Sequence, residues 1–347
     1  MSELRKDYFS DKLVIVNPRS KTDIGLKKER ESIKKSKCPY CPGNERMTPL
    51  AKLVLVQREK NLLKLTDSVE ERIKDWCVRA FIDKFPVVTP DSDTNFNEEP
   101  LYCEPAYGYH YVIVATPRHD ESFSNISVEQ WINVLSVVQD RVRWLCGKKK
   151  VSYVSIFANH GNESSTSIKH PHLQIITLPR LPPIIEQEAS IVRKSMREKG
   201  ICPMCEVLSI ESNGPRHILT TNYYIALSPW APSHAFEYWI FPKRHQTSII
   251  KITQKEISDL ALILKTTLSG LSIALNDPPF SMIFHISSEK MTTRQLHWHI
   301  EVYPQVVKWT GFERGTHTYI NPISPEQVAQ VLGNASRKEL AKIIGIS

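Results

Sequence analysis

CPYC at residues 38–41, YHYVIVATPRH at 109–119 and HPHLQ at 170–174 are echoed later in the chain, in the same order, by CPMC at 202–205, FEYWIFPKRH at 236–245 and HWH at 297–299. The spacing is kept as well: His170 lies 51 residues after His119, and His297 lies 52 after His245. Ser127-x-x-Gln130 begins eight residues after His119 and Thr253-x-x-Glu256 eight after His245, each a capping-box pattern that opens a helix. Agreement in residue type, order and distance marks a tandem duplication, and that reading governs every later one.

Between these markers the elements follow from periodicity. Apolar residues recur at helical spacing in VEQWINVLSVVQDRVRWL from Val128 and in ISDLALILKTTLSGLSIAL from Ile257, as expected of helices laid on one face of a sheet. VSYVSIFA, PHLQIITL, SMIFHIS and HWHIEVY read as the strands of that sheet. The expected fold class is α+β: two duplicated halves, 1–180 and 181–347, each an antiparallel sheet with a crossing helix, joined near PRLPP at 179–183. Cys41 and His119 stand 78 residues apart but Cys205 and His245 only 40, so the first half carries an insertion. Its acidic stretch TPDSDTNFNEEP, 89–100, reads as a surface loop, and a last helix is expected from Ser324-Pro325-Glu326-Gln327, with proline in its first turn.

Composition bounds the function. A chain of 347 residues with 41% hydrophobic and 24% charged residues is neither disordered nor fibrous, and is long enough for two domains or one large duplicated one. No apolar run approaches the roughly 20 residues a membrane helix needs, and the start MSELRKDYFSDK lacks a signal-peptide core, so the expected location is cytoplasmic with no membrane partner. A net charge of +8 and a pI near 9.0 suit anionic partners, from nucleic acid to phosphorylated metabolites. The basic residues are scattered rather than clustered with stacking aromatics, which makes a zinc-stapled nucleic-acid-binding protein the weaker reading.

Four of the seven cysteines form the two Cys-x-x-Cys pairs, and in a reducing compartment such pairs indicate metal before disulfide. The repeat nominates the histidines that complete each set: Cys38, Cys41, His119 and His170 for one site, and Cys202, Cys205, His245 and His297 for the other. Four protein ligands leave no position for water, so two structural Zn²⁺ per chain are expected. In the second half Glu188, His285 and His299 are further candidates for the ligand set.

Strand alternation puts His170, His172 and Gln174 on one face and Pro171 and Leu173 on the other. A metal-bound His170 would anchor the strand, leaving His172 fixed two residues on and Gln174 able to donate its amide to a phosphate oxygen. Just upstream, NHGNESSTSIK at 159–169 offers Asn159, Gly161, Ser167 and Lys169 for a phosphate pocket. Neutral imidazole is a nucleophile near pH 7 whose phosphorylated form can pass the group onward, so His172 is the expected catalytic residue and ping-pong kinetics the expected signature. Its other ring nitrogen needs a hydrogen-bond acceptor that the sequence does not identify.

CPYCPGNE at 38–45, the Asn159-x-Gly161 loop ending at Ser167, and HPHLQ resemble the zinc knuckle, phosphate loop and nucleophile motif of the galactose-1-phosphate uridylyltransferase family, a two-repeat branch of the histidine-triad superfamily. NDPP at 276–279 and GFERGTHTYINP at 311–322 resemble its ADP-glucose phosphorylase branch, which also carries two zinc sites. The resemblance implies transfer of UMP from UDP-glucose to a hexose 1-phosphate through a nucleotidyl-His172 intermediate, in a homodimer. Gln174 and Ser167 become phosphate contacts, Asn159 lies near the active site, and Gly311, Phe312 and Asn321 hold the sugar or phosphate side of the substrate. Phosphorolysis of an ADP-sugar by inorganic phosphate uses the same covalent step, as does phosphorolysis of a dinucleoside polyphosphate, and a histidine-triad hydrolase needs only water as acceptor. Three features depart from the family pattern: Ser165 replaces a loop glycine, Asp83 in RAFIDKFP replaces an asparagine of the nucleoside pocket, and an early arginine cluster is reduced to Arg19 and Lys21.

Overall fold

The computed structural model describes residues 2–7, 11–17, 38–59, 61–91, 96–98, 101–161, 168–287 and 296–346. Within them β10 (His172–Leu178) pairs antiparallel with β9 (Tyr153–His160) on one side and β8 (His110–Val114) on the other. From β8 the sheet continues through β5 (Val78–Ile82) and β3 (Ala51–Arg58) to β4 (Asn61–Leu65). Beyond β9 come β14 (Phe280–His285), β15 (His299–Pro304), β13 (Tyr238–Pro242), β12 (Tyr224–Leu227) and β11 (His217–Thr220). The fold is α+β and antiparallel, but the two sheets expected from the repeat are one sheet of 11 strands. Each repeat ends in a strand with one open edge, and pairing β9 to β14, with Ala158 opposite Met282 and Ile156 opposite Phe284, satisfies both rows of backbone groups at once.

Helices α1 (Val128–Cys146) and α4 (Gln254–Leu275) pack on one another, and α4 packs also on α6 (Pro325–Ile344). The capping patterns behave differently at the two starts. Thr253 and Glu256 close a reciprocal box, whereas at α1 only Ser127 caps, accepting from the Gln130 amide N–H. The Gln130 side chain turns away to donate to the carbonyls of Cys77 and Ala115, tying the helix start to the sheet. One expectation needs correction: α4 is long and apolar enough to cross a membrane, because its scattered polar residues dilute its hydropathy little. Its apolar residues Leu260, Ile263, Leu264 and Leu268 are fully buried in the core of the protein.

Two further elements depart from the sequence reading. Part of the stretch 89–100, expected as a loop, is β6 (Phe96–Glu98), which joins β7 (Leu101–Pro105), β1 (Glu3–Lys6) and β2 (Leu13–Val16) in a separate sheet of 4 strands. Backbone pairing there outweighs the polar composition. The linker read at PRLPP runs straight into α2 (Pro183–Lys199), because Pro183 suits a first helical position, and α3 (Pro203–Glu211) follows with Cys202 as its N-cap.

Period-two alternation gives the sheet two unlike faces. Leu173 and Ile175 of β10 and Ile113 of β8 join Trp131, Leu135 and Val138 of α1 in the main core. Val112 and Val114, opposite Gln174 and His172 in register, point the other way and pack with Phe81 and Tyr40 in a smaller cluster. The helix-covered face is apolar, and His110, His172 and Gln174 share the opposite one.

Gly270 marks the close approach of α4 to α6: a Cβ there would lie 3.0 Å from the backbone nitrogen of Ser336 and closer still to its Oγ. Gly270→Ala should therefore destabilise the protein by about 1–3 kcal/mol, the usual cost of overpacking, although alanine gains roughly 1 kcal/mol in helix propensity. Urea unfolding measures this, and a more stable variant would show that the helices separate without cost.

Candidate active site

The turn carrying Cys38 and Cys41 places both thiols against two histidines from distant parts of the chain. Cys41 Sγ lies 3.3 Å from His119 Nδ1 and 3.6 Å from His170 Nδ1, and Cys38 Sγ lies 3.7 Å from His170 Nδ1. His170 donates its Nε2–H to the Thr116 carbonyl at 2.7 Å, so the lone pair on Nδ1 faces the sulfurs. The second repeat copies this. Cys205 Sγ lies 3.5 Å from His245 Nδ1 and 3.4 Å from His297 Nδ1, and His297 donates its Nε2–H to the Pro242 carbonyl at 2.9 Å. Each set brings its four ligand atoms within 4.8 Å of one another and can hold a metal ion.

Burial pulls the His170 pKa down from 6.5 to about 4, so its imidazole is neutral and able to act as a ligand. At the second set burial opposes ionisation of Cys202, but hydrogen bonds with His245 and His297 prevail and bring its thiol down to about 5. The alternative ligands in the second half form a separate third set: Glu188, His285, His299 and Glu301, again within 4.8 Å. Burial works against charge on His285, yet Glu188 at 3.0 Å and Glu301 at 3.3 Å lift its pKa above the ordinary histidine value. Glu301 escaped the sequence reading, although its place two residues after His299 repeats that of Gln174 after His172.

His172 is buried, and its Nδ1–H donates to the carbonyl of His170 at 2.8 Å. That is the acceptor the sequence could not name. The bond fixes the tautomer and leaves the Nε2 lone pair unprotonated; burial outweighs the upward pull of that bond, lowers the pKa and keeps the ring neutral. Tyr40, inside the first knuckle, sets its ring edge against His172 with centroids 5.1 Å apart. Burial, and next the Asp83 charge, push its hydroxyl well above the usual tyrosine range, so Tyr40 is an uncharged wall rather than a base. Asp83 acts electrostatically on His172 as well, favouring its charged form. His110 hydrogen-bonds Gln174 at 2.9 Å. Neither Tyr40 nor His110 was picked out from the sequence; their lying within the knuckle and on the face of β8 shared with Val112 were the available signals.

The remaining expected residues divide. Asn159, at the end of β9, accepts through Oδ1 from Ser281 Oγ at 2.9 Å. Gly161 has φ +84°, and a Cβ there would meet Pro279 Cβ at 2.7 Å, so glycine is required for both conformation and space. Ser165, Ser167, Arg19 and Lys21 lie outside the described residues. Gly311 and Phe312 open α5 (Gly311–Thr316), where Phe312 is exposed. Asn321 spends its amide on the carbonyls of Pro232 and His234 and its Oδ1 on the N–H of Ile323. Among the described residues no hydrogen bond, ion pair or ring contact joins Gly311, Phe312 or Asn321 to the His172 cluster.

Residues 67–182 match the family described as galactose-1-phosphate uridyl transferase, N-terminal domain. The chain is similar to the galactose-1-phosphate uridylyltransferase family. It is 28% identical to the ADP-glucose phosphorylase of Arabidopsis thaliana over 346 aligned residues, which cover 96% of this chain and 93% of that one. It is also 28% identical to the galactose-1-phosphate uridylyltransferase of Thermotoga maritima, covering 96% and 98%. A solved uridylyltransferase superposes with a TM-score of 0.79 at 26% identity, over 97% of this chain and 99% of that one. The Arabidopsis ADP-glucose phosphorylase with bound ADP-glucose gives 0.73 at 26% identity, over 96% and 99%. The likeness to both branches of the uridylyltransferase family thus runs through the second half as well as the first.

The histidine tautomers yield a sign for pH dependence. His170 has a folded pKa depressed from 6.5 to about 4, so its contribution to stability is present above the ordinary value and is lost as pH falls through that interval. Urea midpoints of chelator-treated protein should therefore drop between about pH 6.5 and pH 4. A His170→Gln variant should show a shallower slope there, and an unchanged slope would count against a buried neutral His170.

Proposed function

We propose that the chain is a nucleotidyltransferase that moves UMP from UDP-glucose to a hexose 1-phosphate through a covalent bond to His172. The observation that carries this reading is the hydrogen bond from His172 Nδ1–H to the His170 carbonyl, which leaves Nε2 as the sole nucleophilic atom of the ring. Nε2 attacks the α-phosphorus, the bond from phosphorus to the bridging oxygen breaks, and the hexose 1-phosphate leaves with that electron pair. Because Nδ1 keeps its proton throughout, the nucleotidyl-imidazole is cationic, and the ring departs neutral when an acceptor phosphate oxygen attacks in turn. Gln174 on the same strand face is assigned to the phosphate oxygens, Asn159, Gly161 and Ser167 to the phosphate loop, and Asp83 to the nucleoside side.

The donor sets of the two knuckles fit zinc. Bond lengths of about 2.3 Å to sulfur and about 2.0–2.1 Å to nitrogen put tetrahedral S and N ligands about 3.6 Å apart. The observed separations of 3.3 to 3.7 Å in the first set and 3.4 to 3.5 Å in the second lie around that value. Cys38, Cys41, His119 and His170 would hold one ion and Cys202, Cys205, His245 and His297 the other. Bound there, zinc supplies a structural crosslink, with no ligand position left for chemistry.

A second reading has its own support. The 28% identity to an ADP-glucose phosphorylase over 96% of the chain, with NDPP and GFERGTHTYINP, favours AMP transfer from ADP-glucose to inorganic phosphate by the same covalent step. Under either reading we place catalysis in the first half. His299 copies the bond of His172, donating Nδ1–H to the His297 carbonyl at 3.1 Å, but its Nε2 faces Glu301 at 3.2 Å in a fully buried position. A homodimer belongs to the proposal, since exposed Phe312 and neighbouring Gly311 are then available to a second copy.

Incubating the protein with UDP-glucose or ADP-glucose labelled in the α-phosphate, without acceptor, and counting label on denatured protein separates the donors. Retention from UDP-glucose is expected; retention from ADP-glucose alone selects the phosphorylase reading. His172→Gly should retain none, and labelling equal to wild type would remove the covalent mechanism. Elemental analysis should find two zinc per chain, falling to one in Cys41→Ala.

A further inference from the structure

Gln174 can present either end of its amide to an anion, and only one end helps. A phosphate oxygen accepts hydrogen bonds, so the NH₂ stabilises it and the carbonyl oxygen repels it. The side chain by itself has no preference, and a neighbouring group has to supply one.

His110, on β8, is that neighbour. It is buried, it stands opposite Ile176 in register, and so it lies diagonally across from Gln174 on the face shared by His172, Val112 and Val114. Its Nδ1 accepts a hydrogen bond from the backbone N–H of Val87 at 3.4 Å, and its Nε2 lies 2.9 Å from Gln174 Oε1. A backbone N–H can only donate, so Nδ1 carries no proton and the ring hydrogen sits on Nε2. A donor on Nε2 admits only the carbonyl oxygen of Gln174. Asp83 Oδ2, 3.8 Å from Nε2, is beyond hydrogen-bond reach.

We propose that His110 is a positioning residue that fixes the Gln174 amide with its oxygen toward β8 and its NH₂ toward the phosphate transferred at His172. The order of control runs from the Val87 N–H to the tautomer of His110, then to the amide of Gln174, then to the substrate. This inference rests on the nucleotidyl-transfer reading for its last link only; the first two links are properties of the free protein.

Two substitutions divide the ring's functions. In His110→Gln the side-chain amide nitrogen reaches the place of Nε2 and keeps the donor, whereas in His110→Asn the shorter amide takes the place of Nδ1 and loses it. Single-turnover labelling of His172 by the donor that labels wild type should slow by about 100-fold in His110→Asn, the usual cost of one preorganised donor. The half-saturating donor concentration should change little, and His110→Gln should retain most of the rate. Placed in a Gln174→Ala background, His110→Asn should have almost no further effect, because it acts through that amide. A His110→Asn variant that labels like wild type, or slows equally with Gln174 absent, overturns the proposal.

Histidine-selective ¹⁵N spectra of the full chain test the first link without any reaction. A protonated Nε2 and bare Nδ1 on His110 are expected, and the opposite tautomer overturns the inference whatever the enzyme does. If wild type takes no label from either donor, the nucleotidyl-transfer reading fails, and with it the catalytic role of the amide. That result is distinct from labelling in wild type with no dependence on His110.

Discussion

Three groups of one residue hold the site in place. His170 gives its Nε2–H to the Thr116 carbonyl, turns its Nδ1 toward the thiols of Cys38 and Cys41, and lends its backbone carbonyl to the Nδ1–H of His172. The first bond decides which nitrogen can serve as a ligand, and the third decides which nitrogen of the next histidine can attack. Any disturbance at the knuckle is therefore transmitted to His172 through a single strand of backbone. Under the proposed transfer the arrangement needs no flexibility at His172 Nε2, because the ring is already oriented.

The division of labour between the two faces of the sheet follows from the same strand. Leu173 and Ile175 are buried against α1, which fixes the rotation of β10 about its own axis, and the alternate residues His172 and Gln174 are then obliged to face Tyr40 and His110. Burial on the first face is thus what aims the polar side chains on the second. The low pKa of His172 comes from its own desolvation, so the packing that orients the ring also keeps it uncharged.

Much of this was legible in the sequence where it depended on local pattern. The duplication showed in spacing, the faces of HPHLQ in alternation, and the metal sets in the pairing of each knuckle with the repeated histidines. What escaped depended on partners far apart in the chain. Nothing near residue 110 announces that its ring meets Gln174, because the meeting is made by the register of β8 against β10. The fusion of two expected sheets into one was hidden for the same reason: β9 and β14 read as strands in either arrangement, and only the satisfaction of their open edges chooses between them. Polar composition misled at 89–100, where backbone pairing in the small sheet outweighs side-chain character.

The second half keeps the outline of the site but changes one of its polar residues. His299 repeats the tautomer-fixing bond of His172, but the position corresponding to Gln174 holds Glu301, whose carboxylate faces His299 and His285 and accepts from the hydroxyl of Tyr303. A neutral amide that can donate to an anion has become an anion that can only accept. Such a site is arranged to attract cations, not to stabilise a transferring phosphate. The second half still supports the half proposed to be catalytic, through the join of the sheet. Ser281 bonds Asn159, Asp277 lies 3.1 Å from His160 Nε2, and Pro279 packs where any side chain on Gly161 would have to go. The end of β9 and Gly161, next to the segment proposed to hold phosphate, are therefore braced from the opposite repeat.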